Sequence, residues 1–274
     1  MTASDAVARH AVRVSGAADG PPMVFAHGFG CDQNMWRLVA PRFERDHRVI
    51  TFDHAGAGRS DPAAYSPDRH AGLEGYAADV VALLRELGLS DVVFVGHSVS
   101  SMIGVLAERA APELFADLVM VAPSPCYLDC DGYVGGFSDA DIGELLASLE
   151  SNYLGWSSST APVVMGNADR PELVEELTTS FCRVDPDIAQ RFARATFLSD
   201  NRDDLAHVRC PVLVLQCRDD VLAPVEVGEY VAARVPNATF VQLEATGHCP
   251  NLSAPEETGA AIEWYLRSRA IGAG

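Results

Sequence analysis

Six short runs of β-branched and aliphatic residues recur along the chain: MVFA (23–26), RVITF (48–52), DVVFV (91–95), DLVMVA (117–122), PVLVLQ (211–216) and ATFVQL (238–243). Continuous apolar runs of this length, rather than alternating ones, predict strands buried on both faces. Longer stretches with helical spacing separate them. In residues 73–88, Leu73, Tyr76, Ala77, Val80, Leu83, Leu84 and Leu87 fall on one stripe, and Gly88 ends it. Residues 224–236 and 255–268 repeat the pattern, the second with Pro255 in its first turn. Strand following helix in this way requires an α/β fold, with a mostly parallel sheet and helices on both faces.

The alternation lapses between about residues 125 and 200, where helical pieces are predicted at 138–152, 171–183 and 186–198. An all-helical insertion between two strands is expected to lie over the carboxyl ends of the sheet, where open α/β sheets bind ligands. The expected organisation is a core of residues 1–124 and 201–274 with a helical lid, residues 125–200, inserted in it. A chain of 274 residues suits one such core rather than two enzymes in tandem.

Charge and composition exclude several function classes. A formal charge of −18 argues against nucleic acid or an anionic membrane as partner, because both need clustered basic residues. All twenty basic residues are arginine, which removes Schiff-base, phosphate-loop and serine–lysine chemistry at once. No apolar run approaches the roughly 20 residues that span a bilayer. The first sixteen residues lack the features of a secretion signal, so a cytoplasmic protein is expected. The seven cysteines (Cys31, Cys126, Cys130, Cys182, Cys210, Cys217 and Cys249) are odd in number and scattered, so buried reduced thiols are expected; Cys249 stands out beside His248. His10, His47, His70 and His207 have no partner spacing and are expected on the surface or in loops. With no metal-binding pair of histidines, neither a metal nor an organic cofactor is expected.

The chemistry-bearing stretch is Gly96-His97-Ser98-Val99-Ser100, between the strand at 91–95 and a helical pattern of Met102, Ile103, Leu106, Ala107 and Ala110. Strand, tight turn and helix are the context of a nucleophile elbow, in which a strained turn projects the serine from the sheet. Ser100 stands where the general pattern has glycine. A serine needs a base and an orienting acid, in the chain order Ser, Asp or Glu, His. Asp219 and Asp220 follow the strand at 211–216, and His248 follows the strand at 238–243, each at the same edge as Ser98. The amides of Val99, at a helix start, and of Phe29, in His27-Gly28-Phe29-Gly30, are candidate oxyanion donors. Asp53-His54-Ala55-Gly56-Ala57-Gly58-Arg59-Ser60 lacks dinucleotide spacing and reads as a structural turn. His97, next to the serine, either lines the pocket or bonds within the core.

The segments HGFGCDQNMW, GHSVSSMIG, LVMVAPSPCYL and GHCPNLSAPEET resemble α/β-hydrolases, and within them the RsbQ-like bacterial stress regulators and their relatives, the plant karrikin and strigolactone receptors. The resemblance extends over nearly the whole chain. It implies an α/β-hydrolase fold, a four-helix lid over an apolar pocket, and hydrolysis of a small hydrophobic ester or lactone by Ser98, Asp220 and His248. It favours Asp220 over Asp219 because relatives place the acid four residues before a proline. It also makes Phe29, Phe137, Trp156 and Phe197 the aromatic pocket wall, whereas the sequence alone reads them more simply as lid core. Two rival functions follow: a ligand-sensing regulator with little turnover that signals to a phosphatase-type protein partner, and a carbon–carbon bond hydrolase on the same scaffold.

Overall fold

The computed structural model describes residues 6–272; the first five residues of the N-terminal expectation lie outside the described residues. Strands β1 (Arg13–Gly16), β2 (Pro22–Ala26), β3 (Arg48–Thr51), β4 (Val92–His97), β5 (Phe115–Val121), β6 (Val212–Asp219) and β7 (Ala238–Thr246) form one sheet. Their order is β1-β3-β2-β4-β5-β6-β7, with β1 antiparallel to β3 and every other pairing parallel. From β2 the chain builds outward to β3 on one side and, from β4 onward, to β7 on the other. The direction of winding therefore switches between β2 and β4, and the crevice outside their carboxyl ends is where such sheets bind ligands.

Strand alternation divides the core into two layers. Met23 and Phe25 of β2 face a cluster that contains Trp36, Ile262 and Tyr265. Val24 and Ala26 face the cluster of Tyr76, Val80 and Ile103, supplied by α2 (Leu73–Glu86) and α3 (Val99–Ala110), which follow a short first helix, α1 (Ala6–Arg9). β4 lies centrally and is buried along its whole length, which is why its sequence has no polar alternation. The two edges depart from expectation for the same reason. β1 is exposed throughout, so RVSG carries no apolar run to announce it. β7, expected to be buried on both faces, is the opposite edge and only partly buried over Ala238–Val241.

Four helices connect β5 to β6: α4 (Asp139–Ser151), α5 (Tyr153–Met165), α6 (Pro171–Cys182) and α7 (Pro186–Phe197). Their starts are written in the sequence. The Ser138 hydroxyl accepts from the Asp141 amide while the Asp141 carboxylate accepts from the Ser138 amide, a reciprocal cap. Pro171 and Pro186 open α6 and α7, and Asp185 caps the latter. Beyond them lie α8 (Val225–Arg234), the short α9 (Pro250–Ser253) and α10 (Pro255–Gly272). No helix among the described residues is long and apolar enough to cross a membrane.

Two expectations about polar side chains are corrected. His10 and His70 lie in turns, within the loop alternative, but are buried rather than at the surface, and each has a fixed partner: the His10 ring donates to the Asp53 carbonyl at 2.9 Å and the His70 ring to the Asp79 carboxylate at 2.8 Å. Cys130 and Cys182 are exposed, whereas the other five cysteines are buried.

Candidate active site

β4 delivers Ser98 to the switch point. The serine sits between strand and helix at φ 56° and ψ −124°, a left-handed backbone that a non-glycine residue adopts at a cost of about 1–3 kcal/mol. The surroundings hold it there: the Ser98 amide donates to the Val121 carbonyl of the neighbouring strand at 2.8 Å. Val99 is the first residue of α3, so its N–H has no carbonyl within that helix and faces outward at the positive end of the helix dipole.

His248 arrives from the loop between β7 and α9. Its amide donates to the Val164 carbonyl of α5 at 2.8 Å, and the preceding Gly247 amide to the Asp219 carbonyl at 2.7 Å. Gly247 has φ +83°, and a Cβ there would stand 1.9 Å from the Met165 carbonyl oxygen. Only glycine lets this loop pass so close to α5. Asp220 follows β6; its Oδ1 accepts from the Leu222 amide at 2.9 Å and the Ala223 amide at 3.2 Å. The three side chains meet: His248 Nδ1–H donates to Asp220 Oδ2 at 2.7 Å, and the Ser98 hydroxyl donates to His248 Nε2 at 2.7 Å. That pattern fixes the tautomer, because an ionised carboxylate can only accept. Asp219 points away, exposed and paired with Arg218.

His97 fills both roles that its sequence position allows. It lines the cavity beside Ser98, and its Nε2–H donates to the His248 carbonyl at 2.7 Å. Burial pushes its pKa down to about 3, with the neighbouring His248 ring as a smaller cause, so it stays neutral and acts as a dipole rather than a charge. Burial also pushes the Cys249 thiol well above its ordinary value, so this cavity residue is no thiolate nucleophile.

The cavity beside Ser98 is lined from all four inserted helices, by Leu145 of α4, Trp156 of α5, Phe181 of α6 and Phe197 of α7. Of the four aromatics, Phe29, Trp156 and Phe197 line it and Phe137 does not; its ring packs on Tyr127, 6.3 Å between centroids. Tyr127, Phe181 and Leu222 are lining residues that sequence reasoning missed. Spacing offered one signal for Phe181, the apolar stripe of α6. The cavity volume is about 30 Å³. Larger clefts of about 450 and 380 Å³ run along residues 31–34 and the end of α6, but Ser98, Asp220 and His248 line neither.

A mostly parallel sheet with a serine on a strained strand-to-helix turn defines a class, and the comparisons agree with it. Residues 23–261 match the alpha/beta hydrolase family, and the chain belongs to that family and is a hydrolase. It is 39% identical over 248 residues to karrikin insensitive 2 receptor CA of Petunia hybrida, covering 90% of this chain and 92% of that one. It is 38% identical over 257 residues to strigolactone esterase D14 of Arabidopsis thaliana, covering 93% and 94%. Among solved structures, a hydrolase from Oleispira antarctica superposes with a TM-score of 0.94 at 40% identity, over 97% of this chain and 98% of that one.

Proposed function

We propose that this protein hydrolyses a small hydrophobic ester or lactone through an acyl-enzyme on Ser98. The observation that carries the reading is the unbroken hydrogen-bond chain from Ser98 through His248 to Asp220, set beside an apolar cavity. Ser98 Oγ attacks the carbonyl carbon as its proton passes to His248 Nε2, and Asp220 steadies the resulting imidazolium. The amides of Phe29 and Val99 receive the developing oxyanion. As the carbon–oxygen bond breaks, His248 returns the proton to the leaving alkoxide, which for a lactone stays tethered to the acyl group. Water, deprotonated by the same histidine, then frees the acid and restores Ser98. The names of the relatives, receptor and esterase, support a small organic ligand. The test is turnover of p-nitrophenyl acetate and a panel of butenolide lactones, with mass spectrometry of the trapped acyl group. Wild type should turn over and carry the adduct on Ser98, and Ser98→Ala should do neither while keeping its circular dichroism spectrum. Full activity in Ser98→Ala would end the reading.

The lining of this cavity by all four helices between β5 and β6 favours a second reading, an RsbQ-like regulator. A ligand there touches Leu145, Trp156, Phe181 and Phe197, one from each helix between β5 and β6, so occupancy and lid shape are coupled, as signalling to a phosphatase-type partner requires. Single-turnover kinetics with a large ligand-induced rise in Tm would support this role; rapid multiple turnover would support a metabolic esterase.

A further inference from the structure

Ser100 and His54 have no place in the mechanism above, yet both are buried completely or nearly so, within the turns that flank Ser98 and the oxyanion loop. Ser100 lies in the first turn of α3 and His54 just after β3. His54 Nε2 and Ser100 Oγ are 2.7 Å apart, and Ser100 Oγ is 2.5 Å from the His27 carbonyl. A carbonyl can only accept, so the single hydroxyl proton of Ser100 goes to His27. Ser100 Oγ must then accept from His54, which fixes the His54 proton on Nε2. The His54 amide donates to His27 Nε2 at 3.1 Å, so the His27 proton is on Nδ1, which donates to the Gly28 carbonyl at 2.9 Å. Burial lowers the pKa of both imidazoles, so neither ring takes a second proton near neutrality.

The side-chain chain ends on the His27 carbonyl, and the His27 ring, held by the His54 amide, in turn bonds the next peptide unit. The Gly28 carbonyl and the Phe29 N–H belong to one trans peptide and point in opposite directions. Holding the carbonyl therefore aims the N–H that would receive the oxyanion. There is no slack at that position, since a Cβ on Gly28 would stand 2.6 Å from His97 Nδ1 and 3.3 Å from Ser98 Cβ. The Cys31 amide also donates to the Gly28 carbonyl, at 3.3 Å, but from within the same loop. The His54–Ser100 pair ties the start of that loop, at the His27 carbonyl, to the ends of β3 and α3.

We infer that Ser100 and His54 are positioning residues, a hydrogen-bonded pair that fixes the His27 carbonyl and thereby the start of the loop that carries the Phe29 amide toward the acyl oxygen on Ser98. The inference rests on the serine-hydrolase reading. It also accounts for serine in a position where the general elbow pattern has glycine.

The test is a double-mutant cycle of Ser100→Ala and His54→Phe, with His54→Gln as the conservative variant, assayed on p-nitrophenyl acetate below each variant's Tm. Losing an oxyanion donor costs about 10²–10³ in rate, and mis-aiming one should cost part of that. Ser100→Ala should lower kcat about 10- to 100-fold with KM within about twofold, and the double variant should be no slower than the worse single one. His54→Gln, which keeps a donor toward Ser100, should recover most of the rate. If Ser100→Ala does not fold, the comparison of His54→Phe with His54→Gln alone decides. A kcat within twofold of wild type in folded Ser100→Ala or His54→Phe, a loss confined to KM, or strictly multiplicative losses would overturn the inference. Failure of the hydrolase reading is separable, because it appears as absent turnover in wild type.

Discussion

Asp219 and Asp220 are adjacent and chemically identical, and their surroundings give them opposite fates. Asp220 has committed both oxygens, one to His248 and one to the backbone amides of Leu222 and Ala223. Asp219 is exposed and shares a surface ion pair with Arg218, an interaction worth about 0–1 kcal/mol. Replacing Asp220 by asparagine puts an amide where an acceptor is needed, so the imidazole either loses its partner or takes the wrong tautomer. Asp220→Asn should lower kcat about 10³–10⁴-fold with the fold retained, and Asp219→Asn should stay within about twofold. Equal effects in a p-nitrophenyl acetate assay would remove Asp220 from the mechanism. The sequence could rank the two only through resemblance, because a spacing of one residue does not say which carboxylate turns inward.

Each inserted helix contributes to the cavity lining, and α5 contributes Trp156, Thr160 and Val164. The Trp156 ring stacks on Phe181 at 5.5 Å and Tyr153 at 6.1 Å and meets Phe29 edge-on at 6.1 Å. Truncating it should cost about 3–5 kcal/mol of stability while opening space beside Ser98. Trp156→Ala should lower Tm and raise kcat/KM for p-nitrophenyl hexanoate relative to acetate by about tenfold or more; an unchanged ratio would show that Trp156 does not bound the acyl site. Helical periodicity missed this helix altogether. α5 carries Gly155, three consecutive serines and an internal Pro162, and its apolar residues do not keep to one stripe. α4, α6 and α7 were readable because caps and prolines mark their starts, and the inner strands because burial on both faces leaves only apolar residues. The edge strand β1 and the bond from His54 to Ser100 were not, since exposure erases the first pattern and no periodicity encodes a contact 46 residues apart.

At the scale of the whole molecule, two effects of pH oppose one another. The formal charge of −18 makes self-repulsion large, and acidification relieves it, which would raise stability as pH falls. Against this stand His27, His54 and His97, whose pKa values burial has lowered, His97 to about 3. Unfolded, each takes a proton near pH 6.5; folded, each stays neutral to lower pH. Below pH 6.5 the unfolded chain therefore binds more protons, and the stability these histidines contribute, fully present above that value, is lost as pH falls toward their folded values. The slope is at most about 1.4 kcal/mol per pH unit for each histidine. Asp200, held low by hydrogen bonds from Arg202, adds to the loss only below the ordinary carboxylate value of about 3.8. Asp117, raised by burial, acts in the opposite sense just above it. Between pH 6.5 and 5 the buried histidines should dominate, so Tm should fall over that interval. Salt separates the two effects, since surface repulsion is screened over about 8 Å at 0.15 M and less at higher ionic strength, while desolvation of an enclosed ring is not. Calorimetry at pH 7.5 and pH 5.0, with and without added salt, should show a fall in Tm that salt does not abolish. A Tm that rises on acidification would mean that repulsion, not histidine burial, governs the acid response of this fold.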